Sequence, residues 1–287
     1  MIRIALPGKG RLAEDTLALL ERAGLSLESA RERALQASLG GEFHALFVRA
    51  RDIPEFVADG AADLGITGRD LLVESGRELS EILDLGYGRC RVVVAAREQS
   101  GIGCIEDVPD GARVATVFPR IARGCFEARG RHVTIVPVSG AAEIAPHLGV
   151  ADFIVDITST GSTLKVNGLE EVATLMTSSA VLVAAPALLE SEEGARKARE
   201  LATALESVLR ARNKRYLMAN VPRRALEEVK RIIPGISGPT IVDVLNGGEH
   251  VAAHAVVDAG DVYRAIAELK QIGAEGILVT RIERLMP

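Results

Sequence analysis

The stretch from Phe153 to Leu164 reads FIVDITSTGSTL, and its residue types and spacing suit the holding of a phosphate. The apolar run Phe153-Ile154-Val155 ends in Asp156 and opens into Ser159-Thr160-Gly161-Ser162-Thr163, which predicts a buried strand, a loop and then a helix. Backbone N–H groups at a helix start are unpaired, and the helix dipole adds partial positive charge there. Ser and Thr hydroxyls supply further donors, and a glycine lets the backbone come close to a ligand. A plainer reading stands beside this one: Ser159 or Thr160 caps a helix running from Thr163 onward.

Two acids extend the chemistry. Asp156 stands at the strand end, and Glu143 lies on the preceding helical segment, which can fold back beside it. Carboxylates accept hydrogen bonds from sugar hydroxyls, so a phosphate cradle next to two of them suits a phosphorylated sugar. Either acid alone is an ordinary cap or surface charge.

Anionic ligands also need cations, and a formal net charge of −5 argues against a general polyanion binder. Positive charge must then be local, with Lys9, Arg11, Arg49, Arg51, Arg69, Arg91, Arg120 and Arg123 as candidates. Lys9 lies in Pro7-Gly8-Lys9-Gly10 after a predicted strand; the spacing is not that of a Walker loop, and an ordinary turn explains it as well as a phosphate contact does. Arg49 ends a predicted strand over 42–49, where open α/β sheets form their ligand crevice, and its planar fork of donors matches pyrophosphate. The five histidines are scattered, and Cys90, Cys104 and Cys125 form no CxxC pair, so neither a protein metal cage nor a disulfide framework is expected. His147 is the histidine nearest the hydroxyl-rich stretch, and it is read as structural. Ser139-Gly140 lacks the GxSxG context of a hydrolase elbow.

Positioning these groups falls to an aliphatic core, since hydrophobic residues make up 48% of the chain and aromatic ones only 3%, with no Trp. A chain of 287 residues exceeds what one core usually fills, so two or three domains are expected. Strands over 2–6, 42–49, 91–96, 113–117 and 133–138 alternate with helices over 11–23, 53–59 (capped by Asp52) and 119–128, which predicts a parallel sheet. Strands over 172–177 and 180–184 return the chain to its first half. Gly60-Ala61-Ala62-Asp63-Leu64-Gly65-Ile66-Thr67-Gly68 echoes Gly149 to Ile154, either as two similar α/β halves around a cleft or as chance use of a common turn. After a helix over 191–212 the order becomes βαββαβ, including an antiparallel pair across Asn246-Gly247-Gly248, which is ferredoxin-like. The expected fold is α/β: a two-lobed, periplasmic-binding-protein-like core of 1–90 plus 180–212 and 91–179, followed by a ferredoxin-like domain over 213–287. With no leader-like segment and no long apolar run, a soluble cytoplasmic protein is expected.

The pattern Glu143, Gly149, Ala151, Ile154, Asp156-Ile157, Thr160-Gly161-x-Thr163-Leu164 resembles the signature of ATP phosphoribosyltransferases. The resemblance extends through Leu6 to Leu12, Val48-Arg49, Asp63 to Gly68, Arg113 to Thr116 and Gly273 to Ile282, and so covers the regulatory domain of the family's long form. It implies transfer of phosphoribose from phosphoribosyl pyrophosphate (PRPP) to N1 of ATP, releasing pyrophosphate, as the first step of histidine biosynthesis. By that resemblance Glu143, Asp156 and Arg49 are catalytic, and Asp156, Ser159, Thr160, Gly161, Ser162 and Thr163 hold PRPP. Lys9, Arg11, Arg49 and Gly68 serve ATP or pyrophosphate. It further implies Mg2+ carried on pyrophosphate, AMP as competitor, a hexamer of dimers, and L-histidine as feedback inhibitor at Asn220, Thr240, Ala252 and Thr280. The acidic residue some long-form members carry on the first regulatory strand is absent from Tyr216 to Pro222, which offers Asn220. Two other readings are a non-enzymatic two-lobed small-molecule sensor and a phosphoribosyltransferase for another base. No nucleic-acid or membrane partner is expected.

Overall fold

The computed structural model describes residues 1–28, 34–245 and 248–286. It divides into two compact units, Met1–Ala202 and Thr203–Pro287. The first unit opens with β1 (Ile2–Pro7), α1 (Arg11–Arg22), β2 (Leu27–Glu28), β3 (Gln36–Leu39), β4 (Phe43–Val48), α2 (Ile53–Ala58), β5 (Leu64–Gly68), α3 (Arg69–Ser75) and β6 (Ser80–Asp84). The chain then crosses into a second sheet through β7 (Cys90–Arg97), β8 (Arg113–Thr116), α4 (Pro119–Glu127), β9 (Thr134–Pro137), β10 (Phe153–Thr158), α5 (Ser162–Val166) and β11 (Leu169–Ser178). It returns through β12 (Ala180–Ala184), α6 (Pro186–Glu190) and α7 (Glu192–Ala211).

The first sheet has the order β2-β3-β4-β1-β5-β12-β6 and the second β11-β7-β10-β8-β9. Each has a parallel centre, β4-β1-β5 and β10-β8-β9. The expected all-parallel sheet is corrected to a mixed one. The crossing strands β7 and β12 enter from the other lobe and therefore run antiparallel to β10 and β5. Alternating strand and helix signals cannot reveal that reversal. The result is the two-lobed α/β core, with two strand crossings joining its sheets.

The echo between the halves is structural. In each, an aspartate just before the strand closes the same loop of bonds. The Asp63 amide donates to the Arg3 carbonyl at 2.9 Å while its carboxylate accepts from the Arg3 amide at 2.7 Å. Asp152 and Arg113 repeat the arrangement at 2.8 Å and 2.8 Å. β5 and β10 are thus corresponding strands, and their carboxyl ends are corresponding places.

Strand β7 reads as one apolar run because both its faces are covered. Val92 and Val94 pack with Phe126 and Phe153, while Val93 and Ala95 pack with Ile154 and Leu164. The Phe126 and Phe153 rings lie 5.4 Å apart, and neither is exposed.

The second unit carries β13 (Lys214–Pro222), α8 (Leu226–Ile232), β14 (Thr240–Asp243), β15 (His250–Asp258), α9 (Val262–Gln271) and β16 (Glu275–Arg281). Its sheet, ordered β14-β15-β13-β16 and antiparallel throughout, is the ferredoxin-like βαββαβ module. Period-two alternation sends Leu217, Ala219, Val221, Val251, Ala253 and Ala255 toward Val229 and Leu269 of the helices. Asn246 and Gly247 of the predicted hairpin turn lie outside the described residues. No helix among the described residues is long and apolar enough to cross a membrane.

Candidate active site

The hydroxyl-rich loop leaves β10 as predicted, but its helix is short. α5 starts at Ser162 and runs five residues, with Gly161 at the N-cap in the left-handed region at φ 79°. A side chain on Gly161 would meet open space, so backbone conformation rather than crowding requires the glycine there. Neither Ser159 nor Thr160 caps the helix in the ordinary way. Thr158 Oγ1 accepts from the Gly161 amide at 2.8 Å, and the Thr160 and Ser162 hydroxyls bond each other at 2.9 Å. The exposed hydroxyl of Ser159 instead accepts from Arg11 Nη1 at 2.9 Å.

That bond joins the two lobes. Lys9 and Arg11 follow β1, Arg49 follows β4 and Gly68 ends β5, so all four sit at the carboxyl edge of the parallel centre. The Gly8 amide donates to the Val48 carbonyl at 2.8 Å, holding the Lys9 and Arg49 segments side by side. Lys9, Arg11 and Arg49 are exposed. Gly68 is buried, and a β-carbon there would collide with the Asp70 carboxylate, which explains the glycine by packing alone.

Glu143 lies on a 3-10 turn, Ala142–Ile144, not a longer helix. The residue before that turn, Ala141, is the only non-glycine with positive φ among the described residues, at 52°. Such a backbone is disfavoured for alanine by the β-carbon, and it aims the turn back toward β10. Burial pushes the Asp156 carboxyl above its ordinary range; the Ile157 amide, bonded at 2.7 Å, opposes this, and the charge of Glu143 adds to it. Two carboxylates that repel each other make a place that a positive charge would relieve.

A cavity of about 480 Å³ adjoins Ser159, lined also by Arg69, Arg89, Arg91, Ser178 and Ser179. A second, of about 590 Å³, meets it at Arg91 and runs beside Thr160, Gly161 and Lys165. A larger cavity, about 760 Å³, lies instead in the C-terminal unit beside Arg231, Pro234 and Arg264. Around the first cavity, sequence reasoning missed a polar hinge. Arg69 grips Glu81 with two bonds of 2.5 and 3.0 Å and reaches Asp84 at 3.2 Å and Ser179 at 3.3 Å. Its pKa is driven up, first by the hydrogen bonds it donates to the Glu81 carboxylate. Asp70, only 5% exposed, accepts from the Ser178 hydroxyl at 2.6 Å. These partners are 12 to 110 residues apart and share no motif, so no local signal could pair them.

Three histidines hold structural bonds: His44 to Gln36 at 3.0 Å, His147 to the Asn167 carbonyl at 2.6 Å, and His254 to Tyr216 at 2.9 Å. Among the described residues no group of three or more His, Cys, Asp or Glu side chains is placed to hold a metal. In the C-terminal sheet, Asn220 faces Ala252, Thr240 faces His254, and Thr280 faces Tyr216. By strand alternation all four predicted residues share the sheet face opposite the helices. Thr280 is at the far end, four residues along β13 from Asn220.

Two α/β lobes with corresponding strand ends facing a cleft, followed by a ferredoxin-like module, define the build of a cleft-bound α/β enzyme carrying a small appended domain. Comparison with known proteins supplies the family. Residues 49–207 match the family model described as HisG: ATP phosphoribosyltransferase, and residues 211–284 match the HisG C-terminal domain. ATP phosphoribosyltransferases of Gemmatimonas aurantiaca and Natronomonas pharaonis are 61% and 50% identical, each aligned over 100% of both chains. A solved structure titled ATP phosphoribosyl transferase (HisG:HisZ) complex, from Thermotoga maritima, is 32% identical with a TM-score of 0.64, covering 73% of this chain and 99% of that one. The chain belongs to the ATP phosphoribosyltransferase family, in its long form, and is a pentosyltransferase of histidine biosynthesis. The reading as a non-enzymatic sensor falls with that membership.

Proposed function

We propose that the chain transfers phosphoribose from PRPP to N1 of ATP, giving phosphoribosyl-ATP and pyrophosphate, with feedback inhibition by L-histidine and competition by AMP. The observation that carries this reading is the meeting of Arg11 with Ser159 across the cleft. It sets the basic edge of one sheet against the hydroxyl loop of the other.

Ser159, Thr160, Gly161, Ser162 and Thr163 hold the 5-phosphate, and Asp156 with Glu143 holds the ribose hydroxyls. Breaking the anomeric C–O bond builds oxocarbenium-like charge on the ribose, which the same two carboxylates stabilise. Lys9, Arg11 and Arg49 face the growing charge of pyrophosphate, where guanidinium and ammonium groups act most strongly. Gly68 ends β5 at the same edge, beside the place proposed for ATP. Adenine N1 already has its lone pair, so positioning rather than a strong base governs attack. Mg2+ would supply neutralisation of pyrophosphate charge, and Glu143 and Asp156 are the hard oxygen donors of this site that would hold it beside substrate oxygens and water.

In this reading residues 1–90 with 180–212 and residues 91–179 are the catalytic lobes, and 213–287 is the regulatory domain. Histidine binds at Asn220, Thr240, Ala252 and Thr280. The assembly is a cytoplasmic hexamer of dimers, which light scattering would measure. The experiment for the substrate is incubation of labelled PRPP with ATP and with other bases. Label moving to ATP alone supports the reading. Label moving to another base instead identifies a different phosphoribosyltransferase.

A further inference from the structure

Helix α4 cannot cap itself. Its N-cap residue is Phe118, which has no side-chain acceptor, and Pro119 has no N–H to satisfy. The Phe118 amide is bonded to Thr116 Oγ1 at 2.8 Å, leaving the amides of Arg120 and Ile121. Both are capped by one carboxylate from the other lobe: Glu74 Oε1 accepts from Arg120 at 2.9 Å, and Glu74 Oε2 accepts from Ile121 at 3.0 Å.

The rest of this joint is built around the same short helix. Gly76, which ends α3 at φ 66°, lets the Arg120 guanidinium lie where a β-carbon would collide with it. Leu71 of α3 packs on the apolar core of the second sheet, and Asp70 bonds Ser178 at the strand crossing. Helix α3 follows a strand of the first sheet yet spends its side chains on the second.

We infer that Glu74 is a positioning residue for the transfer, setting the angle between the lobes at which Arg11 reaches Ser159; the inference rests on the proposed cleft reaction. Both oxygens of the Glu74 carboxylate are engaged by α4 amides. It acts by holding α4, and with it the second lobe, in the substrate-ready arrangement. When a competent arrangement is only partly populated, apparent affinity falls by that fraction while saturated turnover is preserved.

The test compares the full-length wild type with Glu74→Ala and Glu74→Gln. It measures kcat and KM for pyrophosphate release together with hydrogen exchange of segments 119–127 and 158–163. Glu74→Ala is expected to raise KM for PRPP about tenfold with kcat changed less than about twofold, and to speed exchange in both segments. Glu74→Gln, keeping one acceptor, is expected to fall between, and it carries both readouts should the alanine variant not fold. Faster exchange confined to 119–127 with unchanged KM would overturn the inference, leaving Glu74 a stabilising cap. Absence of pyrophosphate release by the wild type would sink the transferase reading instead, and exchange in 158–163 would still decide the role of Glu74.

Discussion

The Arg11 guanidinium donates to the Ser159 hydroxyl at 2.9 Å, tying the first turn of α1 to the loop after β10 across 148 residues of sequence. In the proposed reaction that is where the leaving pyrophosphate passes the 5-phosphate cradle. Arg11→Ala should lower kcat/KM about 100-fold, the usual scale for removing one donor aimed at developing negative charge. Because Arg11 is exposed, the Tm should move by no more than about 1 °C. A large fall in Tm with normal kinetics would assign the bond to folding alone.

Asp156 gives a pH test with a definite sign. Burial first, and the charge of Glu143 after it, raise its pKa above 3.8. The ionised form is the one that accepts from ribose hydroxyls, so activity should fall with acid at a pH above the ordinary aspartate range. Glu143→Gln removes the repulsion, and the acid limb of its residual activity should move to lower pH. The same shift bears on stability. The folded chain holds this proton more tightly than the unfolded chain, so stability is lost as pH rises from 3.8 through the folded pKa. Asp156→Asn should therefore raise the Tm at pH 7 while abolishing most transfer, an outcome that thermal scans beside rate assays would read.

The second lobe's core offers a prediction about folding. Phe126 and Phe153 are fully buried with ring centroids 5.4 Å apart, in a chain with few aromatics. Phe126→Ala should destabilise by about 3–5 kcal/mol, because a cavity forms as well as transfer energy being lost. Denaturant titration would measure it, and a loss below about 1 kcal/mol would mean that the site collapses around the gap.

Regulation can be tested on the face of the C-terminal sheet opposite its helices, where Asn220 stands opposite Ala252. Asn220→Ala should raise the histidine concentration for half-inhibition at least tenfold, since an amide that anchors a polar ligand leaves it unpaired when removed. An unchanged inhibition curve would remove Asn220 from the inhibitor pocket.

Much of this was legible in the chain because it is local. Apolar runs marked β1, β7, β10 and β15 to within a residue or two, and the Ser-Thr-Gly stretch between Asp156 and Leu164 could be read as a loop entering a helix. Short, half-exposed strands escaped: β2, β3 and β6 have weak alternation and exist because a neighbouring edge pairs with them. Asp52 looked like an N-cap yet makes no capping bond, since the preceding 3-10 turn already leads into α2. The cap that matters for α4 comes from Glu74, 46 residues away from Arg120, and the Arg69 hinge draws on Ser179 from 110 residues off. Such pairings are set by topology, and no window of sequence contains both partners.

If the cleft performs the transfer from PRPP to ATP, pyrophosphate release must depend on both substrates and on Asp156. ATP, PRPP and Mg2+ are supplied together and singly, to wild type and to Asp156→Asn. Release is expected only when both substrates are present, cut at least 100-fold by the substitution. Release that proceeds without ATP, or that Asp156→Asn leaves unchanged, would contradict that transfer.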